Sequence, residues 1–301
     1  MGMSAATPTP TLAPLTGIRI LSLALNLPGP AALMRCRAMG ATCVKLEPVA
    51  PGSAPTSSDP MATYAPAAYD AMHDGVTHLQ ANLKTSEGQG LLHAELAQTD
   101  VMITSFRPSA VDKLGLGWDT LHTRYPRLSV VAIVGAPGAR GEEPGHDLTY
   151  LAESGLVNDL ALPPTLYADM GGSLMASEAM LQALLHRSVH GTGVRIEVAL
   201  SDAARYLALP RAWGLTQPSG SVGGAHAGYR VYACADGRVA VAALEPHFAD
   251  ALCLLAGIAS RNMFSSATHA ALADWLRSRS CVELDALATA HDIPLHTLPH
   301  H

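Results

Sequence analysis

The stretch from Gly17 to Glu47 constrains the fold more than any other part of this chain. "GIRILSLAL" reads as a short buried strand, "PGPAALMRCRAMG" as a turn and a helix that Gly40 ends, and "ATCVKLE" as a second strand. A strand, a helix and a strand within about thirty residues form a βαβ unit, which implies a parallel sheet with helices on its faces. The alternation continues. "GQGLLHAELAQTD" has the spacing of an amphipathic helix, "VMITSF" of a strand, "VDKLGLGWDTLHTRY" of a helix and "RLSVVAIVGA" of a strand, before the helix "SLMASEAMLQALLHRS" and the strand "VRIEVAL". The expected fold class is α/β.

Beyond these units the pattern changes. "TQPSGSVGGAHAGY" is Gly-rich and reads as a linker, and "YRVYACADGRVAVAAL" as a hairpin turning at Asp236-Gly237, with helices around Phe248 to Ala256 and Ala270 to Arg277. The expected division is a disordered tail over 1–14, a large domain over 15–215, a linker over 216–228 and a small α+β domain over 229–301. Inside the large domain, "EPVAPGSAPTSSDPMATYAP" is a long loop of the kind that is functional or mobile.

With 49% hydrophobic and 15% charged residues in 301, the chain can bury a sizeable core. A net charge of -6 and scattered Lys and Arg leave no electrostatic footprint for nucleic acid. Five cysteines without a C-x-x-C pair fit a reducing compartment and read as buried or incidental thiols, so no metal site is expected. The start lacks a basic segment followed by an apolar run, and no apolar run reaches the length of about 18 residues that spans a bilayer. No membrane association and a cytoplasmic location are the expectation.

The stretch "EEPGHDLTYLAESG", Glu142 to Gly155, places Gly-His-Asp at the mouth of a helix. Asp147 is a favoured capping residue. The alternative reading of His146 and Asp147 is an acid/base pair beside free N–H donors, where developing negative charge is stabilised. Asp169 ahead of "MGGS" reads as a cap or as a functional carboxylate, with Gly171-Gly172 suited to close backbone approach by a ligand. Met170, Met175 and Met180 read as core packing, with an adaptable surface for acyl chains as the alternative.

In order, "PGPAALMRCRAMGATCVKLEP", "DVMITSFRPSAVDKLGLGWDTL", "PRLSVVAIVG", "GHDLTYLAESG", "YADMGGSLMASEAMLQALLHRSVHGTGVRIEVAL" and "YRVYACADGRVAVAALEPHF" make the chain resemble the class III CoA-transferase family, in its alpha-methylacyl-CoA racemase branch. The resemblance implies a large Rossmann-like domain, a small domain and an interlocked homodimer with acyl-CoA as substrate and no permanently bound cofactor. It further implies His146 and Asp169 as the two bases, Glu245 of "EPHF" as support for His146, and Asp147 as the position of the transferase nucleophile. Arg107 of "SFRP", Lys84 of "NLK", Gly145 and Tyr150 match positions near the CoA site. The function implied is inversion of the α-carbon of a 2-methyl-branched acyl-CoA. The alternatives are CoA transfer through an acyl anhydride on Asp147 and a non-catalytic acyl-CoA-binding member.

Two bases on opposite faces suit that chemistry, since one removes the α-proton and the other returns it. The enolate oxygen needs donors already in place, and the N–H groups opening the helix at Asp147 are the expected source. The chain departs from the family pattern in two places. It reads "HDGVTHLQANLK" where relatives carry an "NRGKRS"-like basic segment, and it has Pro48 where racemases often have Arg. Because it stops at "HDIPLHTLPHH", a shortened member of the family is the expectation. Weak CoA affinity with a strong dependence on Arg107 is the expectation, because cations are what grip its phosphates.

Overall fold

The computed structural model describes residues 12–49 and 57–300, in two compact units divided between Leu207 and Ala208. The first unit runs β1 (Arg19–Ser22), α1 (Pro28–Ala38), β2 (Thr42–Glu47), α2 (Pro60–Tyr64), α3 (Pro66–His73), β3 (Thr77–Gln80), α4 (Ser86–Leu96), β4 (Val101–Thr104), α5 (Pro108–Lys113), α6 (Trp118–Arg124), β5 (Ser129–Val134), α7 (Asp147–Glu153), α8 (Tyr167–His190), β6 (Arg195–Ala199) and α9 (Leu200–Leu207). Its six strands are all parallel, in the order β3-β2-β1-β4-β5-β6. That is the doubly wound order, in which the connections leave β1 in opposite directions and open a crevice at the carboxyl ends of β1 and β4.

Successive strand residues point to opposite faces. Ile20, Ile103 and Val131 join a core with Leu33, Cys36, Leu151 and Met180. Their neighbours Leu21, Met102 and Val130 join a second core with Leu92, Leu96 and Leu121. Burial on both faces is why these strands are unbroken apolar runs. Helix α8 buries a stripe of small residues, among them Ala168, Gly172, Ala176, Ala179 and Ala183, and Gly191 in a left-handed conformation (φ 77) ends it.

Several expectations change. The helix read over "VDKLGLGWDTLHTRY" is two short ones, because Gly115 takes φ 73 and breaks the run. Helix α8 starts at Tyr167 and passes through Gly171-Gly172, so Asp169 lies inside its first turn and is not a cap ahead of it. The glycines serve packing: a methyl at Gly172 would collide with Leu200, and one at Gly171 would press on Leu207 and Ala203 of α9. The three methionines fall five residues apart and so turn about 140° at each step. Met180 is in the core, Met175 packs against it, and Met170 is exposed. The long loop carries α2; its residues 50–56 lie outside the described ones, as do residues 1–11 of the expected tail.

The second unit opens with α10 (Leu209–Ala212) and continues through β7 (Tyr229–Cys234), β8 (Gly237–Ala242), α11 (Pro246–Leu255), α12 (Ser266–Arg277), α13 (Cys281–His291) and β9 (Leu295–Pro299). Its antiparallel sheet has the order β7-β8-β9 and packs Val239 and Val241 against Leu252, Leu272, Leu276 and Leu284. The segment 216–228, read as a linker, contributes turns to this unit. Cys234 pairs with Gly237, so the hairpin turns at Ala235-Asp236, one residue before the expected place. Gly237 is required there because β9 lies against it: an added methyl would strike the backbone of Leu298 and Pro299. Among the described residues no helix is long and apolar enough to cross a membrane.

Candidate active site

At the carboxyl ends of β1, β4 and β5 lies a cavity of about 170 Å³. It is lined by Leu25 and Asn26 after β1, by Ser105, Phe106 and Arg107 after β4, and by Gly135 after β5. Gly145, His146 and Tyr150 close it from the α7 side, and Asp169 from α8. This is the switch point of the sheet, where open α/β folds bind ligands. Five residues expected from the sequence therefore share one cavity: Arg107, Gly145, His146, Tyr150 and Asp169.

His146 is the N-cap residue of α7 in an extended conformation, and it is exposed. Its backbone is pinned by Thr149, whose hydroxyl accepts from the His146 N–H (3.1 Å) and donates to the His146 carbonyl (2.7 Å). The N–H groups of Thr149 and Tyr150 also turn back onto that carbonyl. The oxyanion donors expected at this helix start are thus narrowed to the N–H groups of Asp147 and Leu148.

Asp147 is not the cap of its own helix. It is buried, at 4% exposure, and its Oδ1 accepts the backbone N–H of Asp169 at 3.0 Å. An acidic group is favoured in this position because the opening turn of α8 presents unsatisfied N–H groups and the positive end of a helix dipole. Asp169 faces the cavity with its carboxyl pushed up to about 6, first by burial and then by the Asp147 carboxylate. A group at that value takes and gives a proton near neutral pH.

Tyr150 is buried, and its hydroxyl fits between Gly135 and Gly145, where a methyl on either glycine would collide with it. Burial and the Asp169 carboxylate raise its pKa, so it stays a protonated donor. Gly145 is therefore needed for the tyrosine to reach the cavity at all. Arg107 occupies the N-cap position of α5 and is exposed at the rim.

The remaining expected residues lie elsewhere. Lys84 borders a neighbouring groove with Pro48, Val49, Asn82 and Leu114, and Phe106 forms a wall of both spaces. Glu245 belongs to the second unit, where it is the N-cap residue of α11 with Pro246 behind it. All five cysteines are buried and unpaired. Cys234, Asp236 and Cys281 bring their donor atoms within 4.8 Å of one another. The Cys281 thiol is pushed up to about 12, by burial and by its hydrogen bond to Asp236, and Asp236 accepts the Cys281 N–H at 2.7 Å. These contacts fasten the start of α13 to the hairpin.

Sequence reasoning missed Asn26, Ser105 and Glu143 in the cavity wall. A usable signal existed for Asn26, since "LNLPGP" is the first strand-to-helix turn, and that turn borders the crevice in every fold of this order.

The model of CoA-transferase family III matches residues 15–299. Alpha-methylacyl-CoA racemase of Mus musculus is 31% identical over 279 residues, 87% of this chain and 68% of its own. The probable fatty acyl-CoA transferase Rv3272 of Mycobacterium tuberculosis is 31% identical over 208 residues, 64% of this chain and 51% of its own. Cinnamoyl-CoA:phenyllactate CoA-transferase of Clostridium sporogenes is 29% identical over 206 residues, 64% of this chain and 50% of its own. The chain thus spans about half the length of two of these relatives and two thirds of the third. The crystal structure of Rv3272 superposes with a TM-score of 0.81 at 25% identity, covering 96% of this chain and 85% of that one.

Proposed function

Given that the chain belongs to CoA-transferase family III, a family whose relatives include both racemases and CoA-transferases, we propose that it is an acyl-CoA racemase or epimerase acting on 2-methyl-branched thioesters. The observation that carries this reading is the contrast between two neighbouring aspartates. Asp169 faces the cavity at about 6, whereas Asp147 is buried with its carboxylate committed to the start of α8. A proton-transfer enzyme needs the first arrangement, and a covalent acyl-aspartate route needs the opposite exposure of Asp147.

In the forward reaction one of His146 and Asp169 removes the α-proton, and the C–H electron pair moves into the thioester to form an enolate. The second group, already protonated, then delivers a proton to the opposite face, and the enolate collapses to the inverted thioester. Tyr150, protonated and aimed past Gly145, is a neutral donor at the same cavity. Glu245 orients His146 from the small domain of a second copy, so the active species is a homodimer. Arg107 holds a phosphate of the coenzyme. The acyl-CoA is the substrate, and no permanently bound cofactor is invoked.

The runner-up is CoA transfer between carboxylic acids through Asp147, which two of the named relatives favour. Incubation with a 2-methylacyl-CoA in heavy water separates the two: racemisation places deuterium at C2, and transfer exchanges CoA between acids without it. Deuterium incorporation no faster than that of His146→Ala would reject the racemase reading.

A further inference from the structure

Three described non-glycine residues adopt a left-handed backbone, Asn26 (φ 62), Asp159 (φ 47) and Asp292 (φ 52), and among them only Asn26 lines the cavity. Such a conformation costs energy in an L-residue and marks a position that its surroundings impose. The surroundings are visible. The Leu25 N–H donates to Ser105 Oγ at 3.0 Å, and the Asn26 N–H donates to both carboxylate oxygens of Asp59 at 3.1 and 3.2 Å. Both backbone donors of this corner are therefore used by the protein. The Asn26 side-chain amide has no hydrogen-bond partner among the described residues.

The anchor is unusually expensive to build. Asp59 is fully buried, and its Oδ2 lies 2.6 Å from the Nζ of the equally buried Lys45. Lys45 also meets Glu47 Oε1 at 3.0 Å and His73 Nε2 at 3.0 Å. His73 turns its Nδ1 to the Tyr69 carbonyl (2.7 Å), and burial together with Lys45 lowers it to about 4, so it is neutral and accepts from Lys45. Asp59 caps α2 as well, by accepting the Met61 N–H at 3.0 Å. A buried cluster of this kind is held at a cost in desolvation, and apolar packing of similar volume would often serve stability as well. The arm of this cluster that reaches the cavity is the bond from Asp59 to Asn26.

A thioester that becomes an enolate, or a tetrahedral adduct, gathers negative charge on its carbonyl oxygen, and that oxygen needs donors fixed beforehand. We propose that the Asn26 carboxamide donates a hydrogen bond to the thioester carbonyl oxygen of the bound acyl-CoA, with Asp59 and Lys45 as positioning residues that hold its backbone in place. This rests on the reading of the cavity as an acyl-CoA site and is indifferent to whether inversion or transfer follows. No covalent step is added: the amide donates and keeps its proton.

Glycine adopts the left-handed region freely, and Asp tolerates it while offering no amide donor. Asn26→Gly and Asn26→Asp therefore keep the corner and remove the donor. The measurement is difference infrared spectroscopy of a 2-methylacyl-CoA labelled with 13C at the carbonyl, alongside heavy-water exchange kinetics. Wild type should shift the carbonyl stretch to lower frequency on binding. Both variants should lose most of that shift, and kcat for exchange should fall about 100-fold with KM changed far less, as when an oxyanion donor is deleted. A carbonyl shift seen in wild type and lost in Asn26→Gly, in a protein that neither exchanges nor transfers, would uphold this inference while the proposed activity fell. A shift that persists in Asn26→Gly, or a wild-type complex with an unshifted carbonyl, overturns it even if racemisation is observed; failure of wild type to bind acyl-CoA overturns both.

Discussion

Asp169 makes its proton chemistry measurable through stability. Its carboxyl stands at about 6 in the folded protein against 3.8 in an unfolded chain, so the native state holds the proton more tightly. The group therefore costs nothing below the lower value, and its cost grows as pH rises through the interval and levels off above about 6. By linkage the full cost is at most about 3 kcal/mol. Asp169→Asn should be more stable than wild type by about 1–3 kcal/mol in urea at pH 7.5, and close to wild type at pH 3, below both values. An equal margin at both pH values would show that the carboxyl is not raised. Arg107 answers a different question, since a phosphate contact by a rim arginine is worth about 1.5–3 kcal/mol when well formed. Titration calorimetry should find weak acyl-CoA binding that Arg107→Ala weakens by tenfold or more, and unchanged affinity would place the phosphates elsewhere. At this scale the sequence was partly legible: His146, Asp169 and Arg107 stand in motifs, and the structure brings them to one cavity. The work of Asp147 was not, because it caps a helix that begins twenty residues later in the chain, and neither was the bond between Asn26 and Asp59, whose partners are 33 residues apart. Local pattern carries no information about such pairings.

At the scale of elements, the placement of α1 against β1 turns on one glycine. Gly29 lies in the first turn of α1, and a methyl there would collide with Ala24, which is buried at the end of β1 and has no flexible end to move aside. Gly29→Ala should lose about 1–3 kcal/mol from overpacking and disturb the Asn26 corner between them. Gly90 on α4 offers the opposite case, since nothing lies within 4 Å of an added methyl. Gly90→Ala should gain up to about 1 kcal/mol from helix propensity. Denaturant unfolding of the two variants reads both signs, and a neutral Gly29→Ala would mean that α1 can slide on the sheet. Most of the strand and helix order in the large domain was legible because apolar runs and helical spacing alternate, with Gly40 (φ 96) ending α1 where expected, but α2, α3 and the polar edge strand β3 were not read. The break between α5 and α6 and the run of α8 through Gly171-Gly172 were not legible, because a glycine reads alike whether it turns the chain or lets two helices approach. Strand β9 was missed because "LHTLP" carries too little alternation to stand out without the neighbour it pairs with.

For the whole molecule, the outer face of α8 is the feature that asks for a partner. Tyr167, Met170, Leu174, Leu181, Leu185 and Val189 recur at helical spacing and are exposed, Leu185 to 67% and Val189 to 71%. A stripe of this length matches a self-association surface better than scattered exposure does. Wild type should sediment as a dimer at micromolar concentration, and Leu181→Asp/Leu185→Asp as a monomer with native circular dichroism; identical masses would remove this face from the proposed homodimer. The same sheet that builds the crevice also sets an order of events at the ribosome. Strand β1 lies at its centre, yet Ile20 pairs on one side with Cys43 and on the other with Val101. Until β4 has been synthesised, the nascent chain holds three parallel strands with the middle of the future sheet as an open edge, and Leu21 and Leu46 wait for a covering that comes from farther along. The interval before β4 emerges is thus one in which this protein is open to mispairing with another copy of itself, and in which a chaperone bound to the emerging chain would matter.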